Sequence, residues 1–245
     1  MPMLRLFSNF RKSLLNEGKT GRYLKYALGE IVLVVIGILI ALQINNANER
    51  SKSNAMVELY KKNIVTELKA DLEEIKRLDS IIKVRKKSIQ DYIDYYEQDE
   101  LEIEVLHEKI DSAQLTLSDF NTKTYTVQDL FTTGNLKLFS PTLKNAILEF
   151  KNKQDQRSEV QIKITDFQIT KFNEFEKHID ALYTNGFANK EHSEVKGWAN
   201  NLDSPQFRMQ NNYVAGFIEY YNYQLGSIER AKESSMELLE ILQSP

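Results

Sequence analysis

The side chains able to do chemistry in this chain of 245 residues are few and scattered, and none of them is a cysteine. Without a thiol, disulfides, thiolate nucleophiles and cysteine-ligated zinc or iron–sulfur centres are excluded. The histidines are His107, His178 and His192. Glu104-x-x-His107 has the spacing of one half of a di-iron site in a helix bundle. The second half is missing, because Phe175 stands three places before His178 and His192 falls in a stretch read as a connector. No metal and no cofactor is expected, and the histidines read as surface residues. Gly18-Lys19-Thr20 has the form of the end of a phosphate-binding loop, but Ser13 stands where the first glycine is required and no strand precedes it. Serines and threonines are plentiful, yet no glycine-flanked nucleophile elbow occurs. An enzyme is not expected.

Glu30 is set apart by the apolar run on its C-terminal side. Ile31–Leu42 reads IVLVVIGILIAL, twelve residues without a charge. Taken from Tyr23 to Ile44 the segment has 22 residues, about 33 Å of helix and enough to cross the hydrocarbon core of a bilayer. Glu30 then lies about 5 Å from the midplane, where an acid is disfavoured by about 2.5–3.5 kcal/mol unless it meets a partner or water. Three roles fit: a proton carrier, a contact to another membrane helix, or a residue at the inner headgroups beside Lys25 if the span shifts outward to about 28–46. Gly37-x-x-x-Ala41 is a pair of small residues one turn apart, with Gly29 eight residues before Gly37 on nearly the same face. Such faces let helices approach closely in lipid. Gly29, Glu30, Gly37 and Ala41 are therefore the candidate membrane-helix contacts.

The flanks give the segment a direction. Residues 1–29 carry Arg5, Arg11, Lys12, Lys19, Arg22 and Lys25 against Glu17 alone. Met3, Leu4, Leu6, Phe7, Phe10, Leu14 and Leu15 recur among them at helical spacing. Residues 1–22 thus read as a basic amphipathic segment, its bases placed to contact an anionic inner leaflet. Gln43-Ile44-Asn45-Asn46-Ala47-Asn48 comes after the span without a charge. By the positive-inside rule the N-terminus stays cytoplasmic and residues 47–245 are exported. A cleaved signal peptide is the rival reading. Its small-x-small site is poorly met by Asn45-Asn46-Ala47, and Ser53-Asn54-Ala55 lies too far on, so residues 23–46 read as an uncleaved signal anchor. Removing the six bases and one acid of the head leaves 26 bases and 34 acids, a balance of −8, for residues 30–245. An acidic body argues against nucleic acid as a partner.

The rest of the chain must then be a body that presents no evident chemistry, and its patterning is helical. Only 9 Gly and 4 Pro occur in the whole sequence, too few for the turns of a many-stranded sandwich or barrel. Val57, Tyr60, Ile64, Leu68, Leu72, Ile75, Leu78, Ile82, Ile89, Ile93 and Tyr96 recur in steps of mostly three and four, which predicts a helix over about 54–99. With only Asn45–Ser53 between them, it can continue from the membrane helix. Leu101–Leu115 reads as a brief helix and Thr116–Thr126 as a loop, followed by one or two turns closed by Gly134. Ser140-Pro141 opens a second long helix to about Tyr183, with a stripe from Leu143, Ile147 and Phe150 through Val160, Ile164, Phe167 and Phe172. Its polar interval Lys151–Glu159 reads as solvated, or as touching something other than a core. Residues 187–205 read as a connector and about 206–242 as a third long helix, its continuity weakened by Gly216 and Gly226. Of the twelve tyrosines, adjacent pairs such as Tyr220 and Tyr221 cannot both face one core, which puts one of each pair at a surface. The expected fold is all-α: an N-terminal transmembrane helix followed by an extracytoplasmic antiparallel bundle of long helices. Steps near 3.5 also permit coiled-coil pairing between subunits.

Gly21-Arg22-Tyr23-Leu24-Lys25-Tyr26-Ala27-Leu28-Gly29-Glu30 and the adjoining IVLVVIGILIALQINN resemble an uncharacterised membrane-protein family of flavobacteria and their relatives, a domain of unknown function. Tyr125-x-x-x-x-Leu130-x-x-x-Gly134-Asn135-Leu136, running into Leu143-x-x-Ala146-Ile147, is similar to its second block. The chain departs from that family at Ala47, where members usually have Trp. The resemblance implies a basic N-terminus, a single span and an exported helical region, and no activity. The function expected is that of an interaction or assembly scaffold, or an accessory subunit of a membrane complex. Its partners are the bilayer and either a second copy or another membrane protein. The alternatives are a ligand-sensing bundle acting through a partner and an ion-coupled subunit using Glu30.

Overall fold

The computed structural model describes residues 20–180, Leu182, Phe187 and 197–244. The amphipathic segment with Arg5, Arg11, Lys12 and Lys19 lies outside the described residues, as do His192 and the turn expected at Asn185-Gly186. The elements are α1 (Thr20–Tyr96), α2 (Ile103–Ser112), α3 (Tyr125–Thr133), a 3₁₀ turn (Asn135–Leu138), α4 (Pro141–Glu176) and α5 (Pro205–Gln243), with no strand among the described residues. This is the all-α architecture the patterning predicts. Two compact units are present, residues 1–59 and 60–245, and α1 has residues in both. The helix runs unbroken through Asn45–Ser53.

The ends of the later helices arise from local chemistry. Ser140 accepts a hydrogen bond from the Leu143 amide at 3.4 Å and Pro141 takes the first helical position. Ser204-Pro205 repeats the device, the serine accepting from the Phe207 amide at 3.0 Å. Gly134 closes α3 with φ 70°, the left-handed conformation that glycine adopts without a Cβ clash. Regular helix in α4 stops at Glu176, short of the expected Tyr183.

Within the second unit the chain makes four passes, and the second is the irregular one. As residue numbers rise from 102 to 129, their partners on α1 fall. Glu102 N–H donates to Tyr95 Oη (3.1 Å), Gln114 N–H to Ser88 Oγ (3.2 Å) and Lys123 N–H to Asp71 (2.9 Å). Thr126 N–H then donates to Glu67 (3.1 Å), and Tyr60 donates to Asp129 (2.7 Å). Residues 101–139 thus run back along α1, so α1 and α4 point the same way and α5 opposes both. Tyr92 donates to Asn211 at 2.6 Å, and Gln154 on α4 donates to Ser234 on α5 at 3.0 Å.

The core has a 3.5-residue repeat on α1 and α5. Ile64, Leu68, Asp71, Ile75, Leu78, Ile82, Ile89 and Tyr92 are buried on α1. On α5 the buried row is Phe207, Gln210, Val214, Phe217, Tyr221, Gln224, Ile228, Ala231, Ser235, Leu238 and Leu242, in alternating steps of three and four. Such spacing is that of coiled-coil-like packing.

Candidate functional site

In the first unit, every large apolar side chain from Ile31 to Leu42 is exposed, between 46% and 73%. This is a helix long and apolar enough to cross a membrane, by length and composition. Such a surface is unstable in water, since each fully buried Leu, Ile or Val is worth about 1.5–3 kcal/mol relative to exposure. Within the regular helix, Glu30 stands seven residues before Gly37, a rotation of about 20°, and Ala41 lies about 40° from Gly37 on the same side. Glu30, Gly37 and Ala41 therefore share a face. Gly29 is rotated about 80° from Gly37 and belongs to the flank of that face rather than to its centre. A Cβ at Gly29 or Gly37 would meet open space, so neither glycine is required by packing among the described residues. Lys25 is exposed on the same helix, and Arg22 is helical.

In the second unit the chemistry-bearing residues assemble differently from their sequence patterning. The polar interval of α4 is packed on one face, at Gln154 and Arg157, while Asn152, Lys153, Asp155, Gln156 and Glu159 are exposed. Leu143, Ile147, Phe150, Gln154, Arg157, Gln161 and Gln168 form one buried row, while Val160 and Phe167 are exposed. The apolar stripe read through Val160 and Phe167 is thus displaced by a polar seam. Gln161 Nε2 donates to Asp119 at 2.6 Å and Gln168 Nε2 to the Tyr213 carbonyl at 3.1 Å. Arg157 donates from Nε to Gln154 (3.1 Å) and from Nη1 to the Phe120 carbonyl (2.7 Å), with its guanidinium 5.0 Å from the centre of the Phe120 ring. Burial pushes the Arg157 guanidinium below its ordinary range and the Asp71 carboxyl above its own. Gly216 makes the seam possible, because a Cβ there would overlap the Gln168 amide.

Tyr220 and Tyr221 are both fully buried, contrary to the expectation for adjacent tyrosines. Residues 113–120 supply the missing second face. Tyr221 Oη donates to the Gln114 carbonyl (2.6 Å) and accepts from Thr116 N–H (3.1 Å). Tyr220 Oη accepts from Ser118 N–H at 2.9 Å and lies 3.0 Å from Asp119 Oδ1. These hydroxyls satisfy backbone groups of a segment that has no ladder of its own. Burial raises the phenol pKa of both, and pushes that of Tyr213 up to about 12. Here the tyrosines are structural hydrogen-bonders.

Glu104 is exposed on α2 and His107 is half-buried, while the His178 carbonyl accepts from Trp198 Nε1 at 2.9 Å. No group of three His, Asp or Glu side chains converges to hold a metal ion among the described residues. Sequence reasoning missed Asp71, Arg157 and the glutamines of α4. The signal that finds them is the 4-3 spacing continued through polar residues, from Phe150 to Gln154, Arg157 and Gln161.

No curated protein and no solved structure matches this chain. The profile of a family of unknown function, DUF6090, matches residues 30–166, from Glu30 through the apolar run and the return segment into α4. With more than half its length matched, the chain belongs to the family of unknown function DUF6090.

Proposed function

We propose that this protein is a membrane-anchored helical scaffold, assembling with itself or serving as an accessory subunit of a membrane complex. The anchor, residues 23–46, crosses the inner membrane with the basic N-terminus in the cytoplasm, and residues from Ala47 onward stand on the periplasmic side. The observation that carries this reading is the run Ile31–Leu42, apolar all round and uncovered, in a chain whose other unit has a core of its own. The face of Glu30, Gly37 and Ala41 is the contact through which the anchor meets another helix.

The absence of native cysteine makes the topology directly testable. Single Ser13→Cys and Ser112→Cys variants, treated with a membrane-impermeant maleimide in spheroplasts, should label at position 112 only. Position 13 should label after the membrane is broken. Labelling in the opposite order overturns the orientation, and release of the protein by high salt or alkaline carbonate overturns the anchor. For assembly, the mass of the detergent-solubilised particle should fall when Gly37→Leu blocks close helix approach. An unchanged mass removes that face from the proposal.

A further inference from the structure

A groove of about 380 Å³ lies between α4 and α5, lined among others by Lys153, Arg157, Tyr223, Arg230, Glu233 and Glu237. Its charges do not cancel. Lys153 is taken by Glu237 at 2.8 Å and Glu149 at 3.1 Å. That leaves two guanidiniums against the exposed carboxylate of Glu233.

Arg157 is the unusual one. It is 8% exposed, yet both of its hydrogen-bond acceptors are neutral, the Gln154 amide and the Phe120 carbonyl. It forms no ion pair with a described residue, and its Nη2 makes no hydrogen bond to one. Asp71 acts on it electrostatically but lies beyond ion-pair distance, held instead by the Lys123 amide at 2.9 Å. A guanidinium in a low-dielectric setting is costly unless an anion meets it with good geometry. Three features orient this one: the Nε bond, the Nη1 bond and the Phe120 ring. Arg230 lines the same groove, with Nη1 beside Gly226, where a Cβ would sit 3.5 Å away. It too forms no ion pair with a described residue. Burial is the main cause of the lowered Arg157 pKa, Tyr223 and Asp71 oppose it, and repulsion between the two arginines adds a smaller lowering. The repulsion is relieved when an oxyanion sits between them, since each guanidinium presents a planar fork of donors.

We propose that the α4–α5 groove binds the oxyanion group of a small solute, a carboxylate or a phosphate, between Arg157 and Arg230. The groove volume suits a small molecule rather than a polymer. Arg157 is the fixed, preorganised donor. Arg230 is the exposed one, while Gln154 and Ser234 supply neutral polar groups at the groove wall.

The test uses the full chain in detergent micelles, with inorganic phosphate and acetate as separate probes replacing chloride at constant ionic strength. The readout is the thermal midpoint of wild type and of Arg230→Gln, whose exposed side chain leaves the fold intact. Phosphate stabilises many proteins by exclusion from their surface, and the variant sets that background. At ten times its dissociation constant, the bound anion should raise the wild-type midpoint by roughly 3 °C more than that of Arg230→Gln. A gain with phosphate alone assigns the site to phosphate-bearing solutes, and a gain with acetate alone to carboxylates. Glu233→Gln, which removes the opposing charge, should bind the effective probe severalfold more tightly. Equal shifts in wild type and Arg230→Gln overturn the proposal, as does weaker binding by Glu233→Gln.

Discussion

Helix α1 contains two apolar stretches with opposite fates, one dense and one interspersed with charges. From Ile31 to Leu42 the apolar residues go all the way round the helix and every large one is exposed. From Ile64 to Tyr92 most of them lie in or beside one buried stripe, with Lys69, Lys76, Lys83 and the exposed Val84 elsewhere on the surface. Backbone geometry is the same in both. What differs is the solvent each pattern fits: an apolar belt suits lipid on every side, and a stripe suits one protein neighbour. Hydrophobicity by itself therefore says little about where a core lies. Its angular distribution says more.

The sharpest way to break the comparison is to make the same substitution in both stretches. Ile89 is 0% exposed and packed in the core of the second unit, so Ile89→Ala should cost about 2–5 kcal/mol. Ile36→Ala, at an exposed site in the first unit, should leave the unfolding of the helical body unchanged. Urea titration of each full-length variant, followed by circular dichroism, checks both. Equal losses would mean that the apolar run is part of a folded core after all.

A second contrast is between two ways of burying polar atoms. Tyr221 satisfies residues 114–116, and Tyr221→Phe should cost about 1–3 kcal/mol because the Thr116 amide loses its acceptor. The α4–α5 seam is less well satisfied. Gln161 Oε1, Gln168 Oε1, Gln224 Nε2, Ser227 Oγ and Ser235 Oγ are buried without a hydrogen-bond partner. Gly216→Ala would push a methyl group into the Gln168 amide and should cost about 1–3 kcal/mol, as overpacking does. If Gly216→Ala were neutral, the seam would be loose enough to rearrange. Ser140→Ala comes next at about 1 kcal/mol, the usual value of one serine cap.

The sequence made the long helices and the caps legible because these depend on local chemistry. Ser140-Pro141, Gly134 and the 3.5-residue spacing are all short-range signals. The return segment was not legible in the same way. Residues 113–126 have no helical stripe, and their order comes from bonds to Tyr220, Tyr221, Asp71 and Glu67, partners 52 or more positions away. The polar seam was hidden for another reason. A stripe search counts apolar residues, and at Gln154, Arg157, Gln161 and Gln168 the buried positions are polar while the neighbouring Val160 and Phe167 are not. Of the candidate contacts, Gly37 and Ala41 were legible as a pair from their spacing, while helix geometry brings Glu30 onto their face and moves Gly29 to its edge. Ser204-Pro205 was missed although it repeats a device recognised sixty-four residues earlier.

Asp71 gives the smallest expected effect and a signed one. It is the one carboxylate in the buried row of α1, facing Glu67 on its own helix, Lys123 on the return segment and Arg157 on α4. Burial raises its pKa, and this outweighs the Lys123 amide bond that favours the charged form. The folded state therefore binds its proton more tightly than the unfolded chain does. The linked stability is fully present below the unfolded pKa, near 4, and is lost as pH rises through the higher folded value. Asp71→Asn keeps an oxygen to accept from the Lys123 amide and removes the titration. Urea midpoints of wild type and Asp71→Asn, compared from pH 4 to pH 7, should diverge as pH rises, with wild type falling relative to the variant. A constant difference would mean that Arg157 and Lys123 offset the burial of the charge. In that case the Asp71 carboxylate belongs to the stabilising electrostatics of the body, and it holds the return segment through a charge-assisted hydrogen bond from the Lys123 amide.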